Sequence, residues 1–307
     1  MLTRLLLIDD NPGYCAQLVR EASEYGFEMV FFHNLEQGLR ELIASRRIKA
    51  IVLDGRCYLD PEQTSAARSN FVILAINRIR DVEVVFNRIL PFCINTEHPA
   101  DFAEDLDGTA PVFCKGDQHN ELFRWIKAEI AKLPETIVLK QYYDLFEVFE
   151  NRFTDEETDL LIDVLQAKNS SDSALIITSL AILRRLLEKM MDVACIEILG
   201  RQPESINWTE IEKQPAGYRV KPLRKTIHKP HMSRTRMIIN NLHPGFMPAE
   251  LYQIAGELYK ICSKYGNHNE PVSKNTVRFI PGKYTLKRLV FGFAEIAVNI
   301  FEHNKKR

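Results

Sequence analysis

Residues 48–54 read IKAIVLD: five apolar residues, one lysine near the start and one aspartate at the end. Past Lys49 nothing polar alternates with the apolar run. A strand with one face in water would alternate; an unbroken run bounded by turn residues suits a strand covered on both faces. Such strands lie inside parallel sheets, with helices on either side. Asp54 stands where this strand leaves the core.

The neighbouring segments repeat that grammar. RLLLID (4–9) and FEMVFF (27–32) precede IKAIVLD, and ILPFCINT (89–96) and APVFCK (110–115) follow it. Between them lie helical patterns. Residues 11–26 carry Pro12 at the start and Gly26 at the end. Residues 34–47 form a second helix, Pro61 to about Phe86 is mostly helical, and 98–106 is a short helix. Residues 117–133 close the series, with Asp117 as a cap. Five rounds of strand then helix predict an α/β fold, a (βα)5 doubly wound parallel sheet over residues 1–132.

Pro134 in KLPETI marks a break, and residues 133–307 read as a mainly α-helical domain. Helical patterns cover 141–153, 154–169, 171–199, 232–243, 248–266 and 284–304. Thr154 with Glu157 three residues on forms a capping-box pattern. The segment 171–199 is apolar around much of its circumference. It is expected to be the core helix of this domain or part of a dimer interface.

Composition bounds the rest. The 307 residues are 46 % hydrophobic and 26 % charged with a net charge of −1, so no whole-chain field selects nucleic acid or an acidic partner. No apolar stretch is long enough for a bilayer, and the amino terminus turns acidic too soon for a secretory leader. Six scattered cysteines without a CxxC imply buried, reduced thiols in a cytoplasmic protein.

In an open parallel sheet, ligands sit beyond the carboxyl ends of the strands. Asp9, Asp10, Asp54, Thr96 and Lys115 all fall at those ends. Grouped carboxylates repel unless a cation joins them, and an oxygen-only set suits Mg²⁺. Lys115 could neutralise a transferred phosphoryl group and Thr96 could hydrogen-bond to it, a set suited to phosphoryl transfer onto a carboxylate. The alternative is purely structural: Asp9 and Asp10 as caps of the first helix, and Asp54 opening a turn with Gly55.

The motifs LLLIDD, IVLD, INT and FCK, in this order and with 44 residues from Asp10 to Asp54, resemble the flavodoxin-like receiver domain of two-component response regulators. That resemblance makes Asp54 the phospho-acceptor and Asp10 a direct Mg²⁺ ligand, with Asp9 acting partly through water. It makes the Arg56 carbonyl a further ligand, Thr96 the switch hydroxyl and Lys115 the phosphoryl contact. The partner implied is a histidine kinase or phosphotransfer protein, with output through the helical domain. A phosphorylation-independent receiver-like scaffold is the alternative. The sequence departs from the family in three places. DGRCYLDPEQT follows the acceptor strand, Gly116 replaces the proline expected after Lys115, and Val112 occupies the switch-aromatic position. Phe113, beside it, faces the other side of the sheet. The readout of phosphorylation is therefore expected to differ from the family's.

The carboxyl-terminal half offers less chemistry. Residues 219–236, RVKPLRKTIHKPHMSRTR, hold seven Lys or Arg, two His and no acid. They suit nucleic-acid phosphates or an acidic protein surface as well as they suit a solvated loop. His228 and His231 lack a nearby carboxylate or thiol to complete a metal site. ELYKICSKYGNHNEP (257–271) faintly resembles the helical domains of abortive-infection and HEPN proteins. However, no Arg stands at the position from which it would pair with His268.

Overall fold

The computed structural model describes residues 3–62, 70–102, 109–200, 202–203, 235, 238–240, 242, 247–266 and 282–302. The chain divides into two compact units, Met1–Ile137 and Val138–Arg307.

The first unit alternates strand and helix: β1 (Thr3–Ile8), α1 (Pro12–Glu24), β2 (Phe27–Phe32), α2 (Leu35–Ala44), β3 (Ile48–Asp54), α3 (Phe71–Phe86), β4 (Phe92–Thr96), a 3-10 turn (Pro99–Phe102), β5 (Val112–Cys114) and α4 (His119–Lys132). All strand pairs are parallel and the order is β2-β1-β3-β4-β5. This is a flavodoxin-like (βα)5 topology with β3 at the centre, and both faces of β3 are covered, as IKAIVLD predicts.

Period-two alternation sends successive side chains to opposite faces of the sheet. Leu6, Ile8, Ile51 and Leu53 pack with Leu35 and Leu42 of α2 and with Phe71, Ala75 and Ile79 of α3. Leu5, Leu7, Ala50 and Val52 pack with Cys15, Leu18 and Ala22 of α1 and with Leu122, Phe123 and Ile126 of α4. Val112 joins the first core and Phe113 the second, so the two neighbours do face opposite ways.

The stretch from Pro61 to about Phe86 is mostly helical, as expected, with α3 over Phe71–Phe86; residues 61–62 form a turn, and 63–69 lie outside the described residues. Some local expectations are corrected. The short helix after β4 is a single 3-10 turn in the described part of 98–106. Asp117 does not cap α4. Gln118 holds the N-cap position without a side-chain cap bond, its Oε1 accepting instead from Cys114 N at 2.8 Å. Pro134 does not only break a helix: it opens the next one, α5 (Pro134–Gln141), where a missing N–H costs nothing.

The second unit continues with α6 (Tyr143–Phe149), α7 (Asp155–Ala167), α8 (Ser173–Leu199), α9 (Ala249–Gly266) and α10 (Lys283–Glu302). The capping box at Thr154 and Glu157 forms in both directions. Asp172 caps α8, and Gly200 closes it in the left-handed region at φ 62°. Leu180, Leu183, Leu187, Met190 and Met191 of α8 lie in a core with Leu258 and Cys262 of α9 and Phe293 and Ile296 of α10. This helix is therefore a core element, as its apolar circumference predicts. Phe149 stacks on Phe153 with ring centroids 3.9 Å apart.

The basic stretch 219–236 lies outside the described residues except Thr235, and so do His228, His231 and His268. All six cysteines are free thiols; five are buried and Cys114 is half-buried. Among the described residues, no helix is long and apolar enough to cross a membrane.

Candidate functional site

Sheet register determines which strand ends meet. Ile8 aligns with Leu53, Asp54 with Asn95, and Thr96 with Cys114. The residues at or just past these ends therefore share one rim. Asp54 and Thr96 are the last residues of β3 and β4, Asp9 and Asp10 follow β1, and Lys115 follows β5.

The three carboxylates converge. One oxygen each from Asp9, Asp10 and Asp54 lies within 4.8 Å of the others. Because β1 ends at Ile8, both Asp9 and Asp10 sit in the turn beyond it. Strand alternation therefore does not drive them to opposite sides, contrary to what adjacency on a strand would suggest. Asp9 is fully buried and Asp10 half-buried. Neither caps α1: Asn11 is the N-cap, its side chain accepting from Tyr14 N, while Asp9 Oδ1 accepts from Asn11 N at 2.9 Å.

Lys115 is the internal counter-charge. Its Nζ lies 2.7 Å from Asp9 Oδ2 and 3.0 Å from Asp54 Oδ1, with the side chain nearly buried. Asp54 Oδ1 also accepts from Gly55 N at 2.7 Å. Burial, reinforced by the Asp9 charge, pushes the Asp54 carboxyl up to about 6 despite the lysine. Burial and then Asp9 also raise Asp10. Burial pulls the Lys115 ammonium down, but the Asp54 and Asp9 charges outweigh it and leave it raised. One ammonium against three carboxylates leaves uncompensated negative charge, which a divalent cation would relieve.

The donor set fits such an ion. It is all oxygen, as a hard cation prefers. The nearby thiols do not compete, since burial pushes Cys15 up to about 12 and raises Cys57 further. Arg56 follows on the β3 loop with its exposed guanidinium bound to Asp101 at 2.9 Å.

Thr96 is buried, and its Oγ1 accepts from His98 N at 3.3 Å. A Cβ placed on Gly55 would lie 2.6 Å from that hydroxyl oxygen and under 3 Å from the Phe102 ring. Thus an aromatic ring does flank the loop after Asp54, but it comes from the 3-10 turn and not from β5.

Sequence reasoning missed a group beside Lys115. Tyr14 of α1 accepts a hydrogen bond from Asn95 Nδ2, and its ring centroid lies 4.7 Å from Lys115 Nζ. Its hydroxyl is 2.7 Å from His119 Nε2, and His119 Nδ1 contacts Glu21. The signal available was the seven-residue spacing of Tyr14 and Glu21, which places both on one face of α1.

The solved structures include a response regulator receiver domain protein from Clostridium thermocellum to which this chain is similar at 16 % identity. The match covers 43 % of this chain and 96 % of that one, with a TM-score of 0.33. No family model and no curated protein matches the chain.

Proposed function

We propose that the first unit is a phospho-accepting receiver module of a signalling protein, occupying about residues 1–132 and acting on the helical region 133–307. The carrying observation is the convergence of Asp9, Asp10 and Asp54 with Lys115 Nζ 3.0 Å from Asp54 Oδ1. In this reading an Asp54 carboxylate oxygen attacks phosphorus in line, and the donor's leaving group departs with the bond it held. A phosphohistidine on a histidine kinase or phosphotransfer protein is the donor. Asp10, Asp9, Asp54 and the Arg56 carbonyl would hold Mg²⁺, which when bound supplies charge neutralisation at the phosphoryl oxygens. Lys115 would pair with a phosphoryl oxygen, and the Thr96 hydroxyl would donate to another. The catalysis is limited to phosphoryl transfer onto the chain's own aspartate and its hydrolysis.

Incubation with a small-molecule phosphoryl donor and Mg²⁺, read by intact mass, tests this. Uptake of one phosphoryl group, absent in Asp54→Asn and absent with chelator, is expected. No uptake, or the same uptake in the variant, overturns it.

A second reading is favoured by the bridging of Asp9 and Asp54 by Lys115. An ammonium already joins two of the carboxylates, which suits a receiver-like scaffold that works without phosphorylation. Partner binding unchanged by Asp54→Asn would favour it.

A further inference from the structure

Lys115 is held from behind by groups that the phosphoryl-transfer reading does not use. Its backbone N–H donates to Thr96 O at 2.9 Å. Immediately after it, Gly116 turns the chain through the left-handed region at φ 84°, where a side chain would be strained. This turn is latched by His119, the first residue of α4, whose Nε2 accepts from Gly116 N at 3.0 Å. A backbone N–H can only donate, so Nε2 carries no proton. The Tyr14 hydroxyl, 2.7 Å away, must then also donate to Nε2, and it accepts from Asn95 Nδ2 on its other side. The remaining ring proton sits on Nδ1 and is donated to Glu21 Oε2. Glu21 thus selects the tautomer, and the tautomer fixes both the turn after Lys115 and the Tyr14 ring beneath its ammonium. His119 is only 8 % exposed, which shields the imidazole from competition with water, while Glu21 stays half-buried.

We propose that His119 is a positioning residue for Lys115, and that the Glu21–His119–Tyr14 chain holds the lysine ammonium on Asp9 and Asp54 in competition with a divalent cation. The inference rests on the metal-site reading above for its consequence. The lysine held in this way is ready to meet a transferred phosphoryl group, and until then it weakens metal binding. Loosening it should have two opposite effects: tighter Mg²⁺ and slower phosphoryl transfer. General damage to the site would worsen both.

The experiment uses the full chain and three variants. His119→Leu removes the acceptor for Gly116 N–H, His119→Gln restores one, and Glu21→Leu removes the tautomer-selecting group from a more exposed position in case His119→Leu does not fold. Mg²⁺ titration by calorimetry is expected to show affinity on the order of tenfold tighter in His119→Leu, the effect of moving one nearby charge. His119→Gln should return toward wild type and Glu21→Leu fall between. Weaker or unchanged Mg²⁺ affinity in both leucine variants overturns the proposal. ¹⁵N-edited NMR supplies the arm that needs no metal. The wild-type imidazole is expected to be neutral with its proton on Nδ1, and the Lys115 ammonium resonance is expected to persist in wild type and fade in His119→Leu. A proton on Nε2, or an ammonium signal indifferent to both leucine variants, overturns the proposal even if wild type takes up no phosphoryl group. Absent phosphoryl uptake alone sinks the phospho-acceptor reading and leaves the histidine inference to stand on the NMR result.

Discussion

Gly55 and Thr96 approach so closely that a methyl group on residue 55 would stand 2.6 Å from the Thr96 hydroxyl oxygen. Gly55 follows Asp54 and Thr96 ends the next strand, so this close approach lies at the rim where the carboxylates meet. Gly55→Ala is expected to push Thr96 and the Phe102 ring aside, at about 1–3 kcal/mol of stability. Chemical denaturation would measure the loss. On the proposed phospho-acceptor reading phosphoryl uptake should fall as well, because the Thr96 hydroxyl would be the group that meets a phosphoryl oxygen. Wild-type stability in this variant would show that the loop moves freely.

Asp54 makes the metal-free protein sensitive to acid in an unusual direction. Its carboxyl titrates at about 6 in the fold against an ordinary 3.8. Between those values the folded state binds the proton and the unfolded state does not. Metal-free stability should therefore fall as pH rises from about 4 through 6, by about 3 kcal/mol in all. Asp54→Asn should remove most of this slope and be the more stable protein at neutral pH without metal. Mg²⁺ favours the ionised form, so its affinity should rise across the same window. Denaturation at a series of pH values with chelator checks the first, and calorimetry the second.

Lys115 compensates two buried carboxylates at once. Lys115→Met leaves them without a counter-ion and is expected to cost about 3 kcal/mol in metal-free buffer. Added Mg²⁺ should recover more stability in this variant than in wild type, since the ion no longer competes with an ammonium. A thermal-shift series with and without Mg²⁺ reads this directly. Equal Mg²⁺ shifts in the two proteins would place the ion away from these carboxylates.

The capping box at Thr154 and Glu157 lies in the helical unit and far along the chain from Asp54. Thr154→Ala should cost about 1 kcal/mol through the lost cap. Hydrogen exchange should report faster opening in the first turn of α7. Mg²⁺ affinity at the first unit should stay as in wild type.

The parts of this protein that follow local rules were legible in its sequence. Apolar runs marked the five strands, and their unbroken character in β3 called for cover on both faces, which α1 and α4 supply on one side and α2 and α3 on the other. The carboxyl ends of those strands carried Asp54 and Thr96, with Asp9, Asp10 and Lys115 just beyond. The capping box at Thr154 and the core role of the 27-residue α8 could also be read directly. Each rests on neighbours a few positions away.

What required the tertiary structure were distances between segments remote in sequence. Asp9 and Asp10 escape strand alternation because β1 ends one residue earlier, and Asn11 rather than either carboxylate caps α1. Gln118 is drawn to Cys114 N, which leaves Asp117 outside the cap. Glu21, His119 and Tyr14 meet because the sheet register sets α1 and α4 on the same face, bringing side chains 98 and 105 positions apart into hydrogen-bond contact. Sequence alone determined the ladder of strands and which polar residues stand at their ends. Only the packed fold decided which of those groups face one another and what holds Lys115 in place, because burial and close approach are properties of space rather than of chain order.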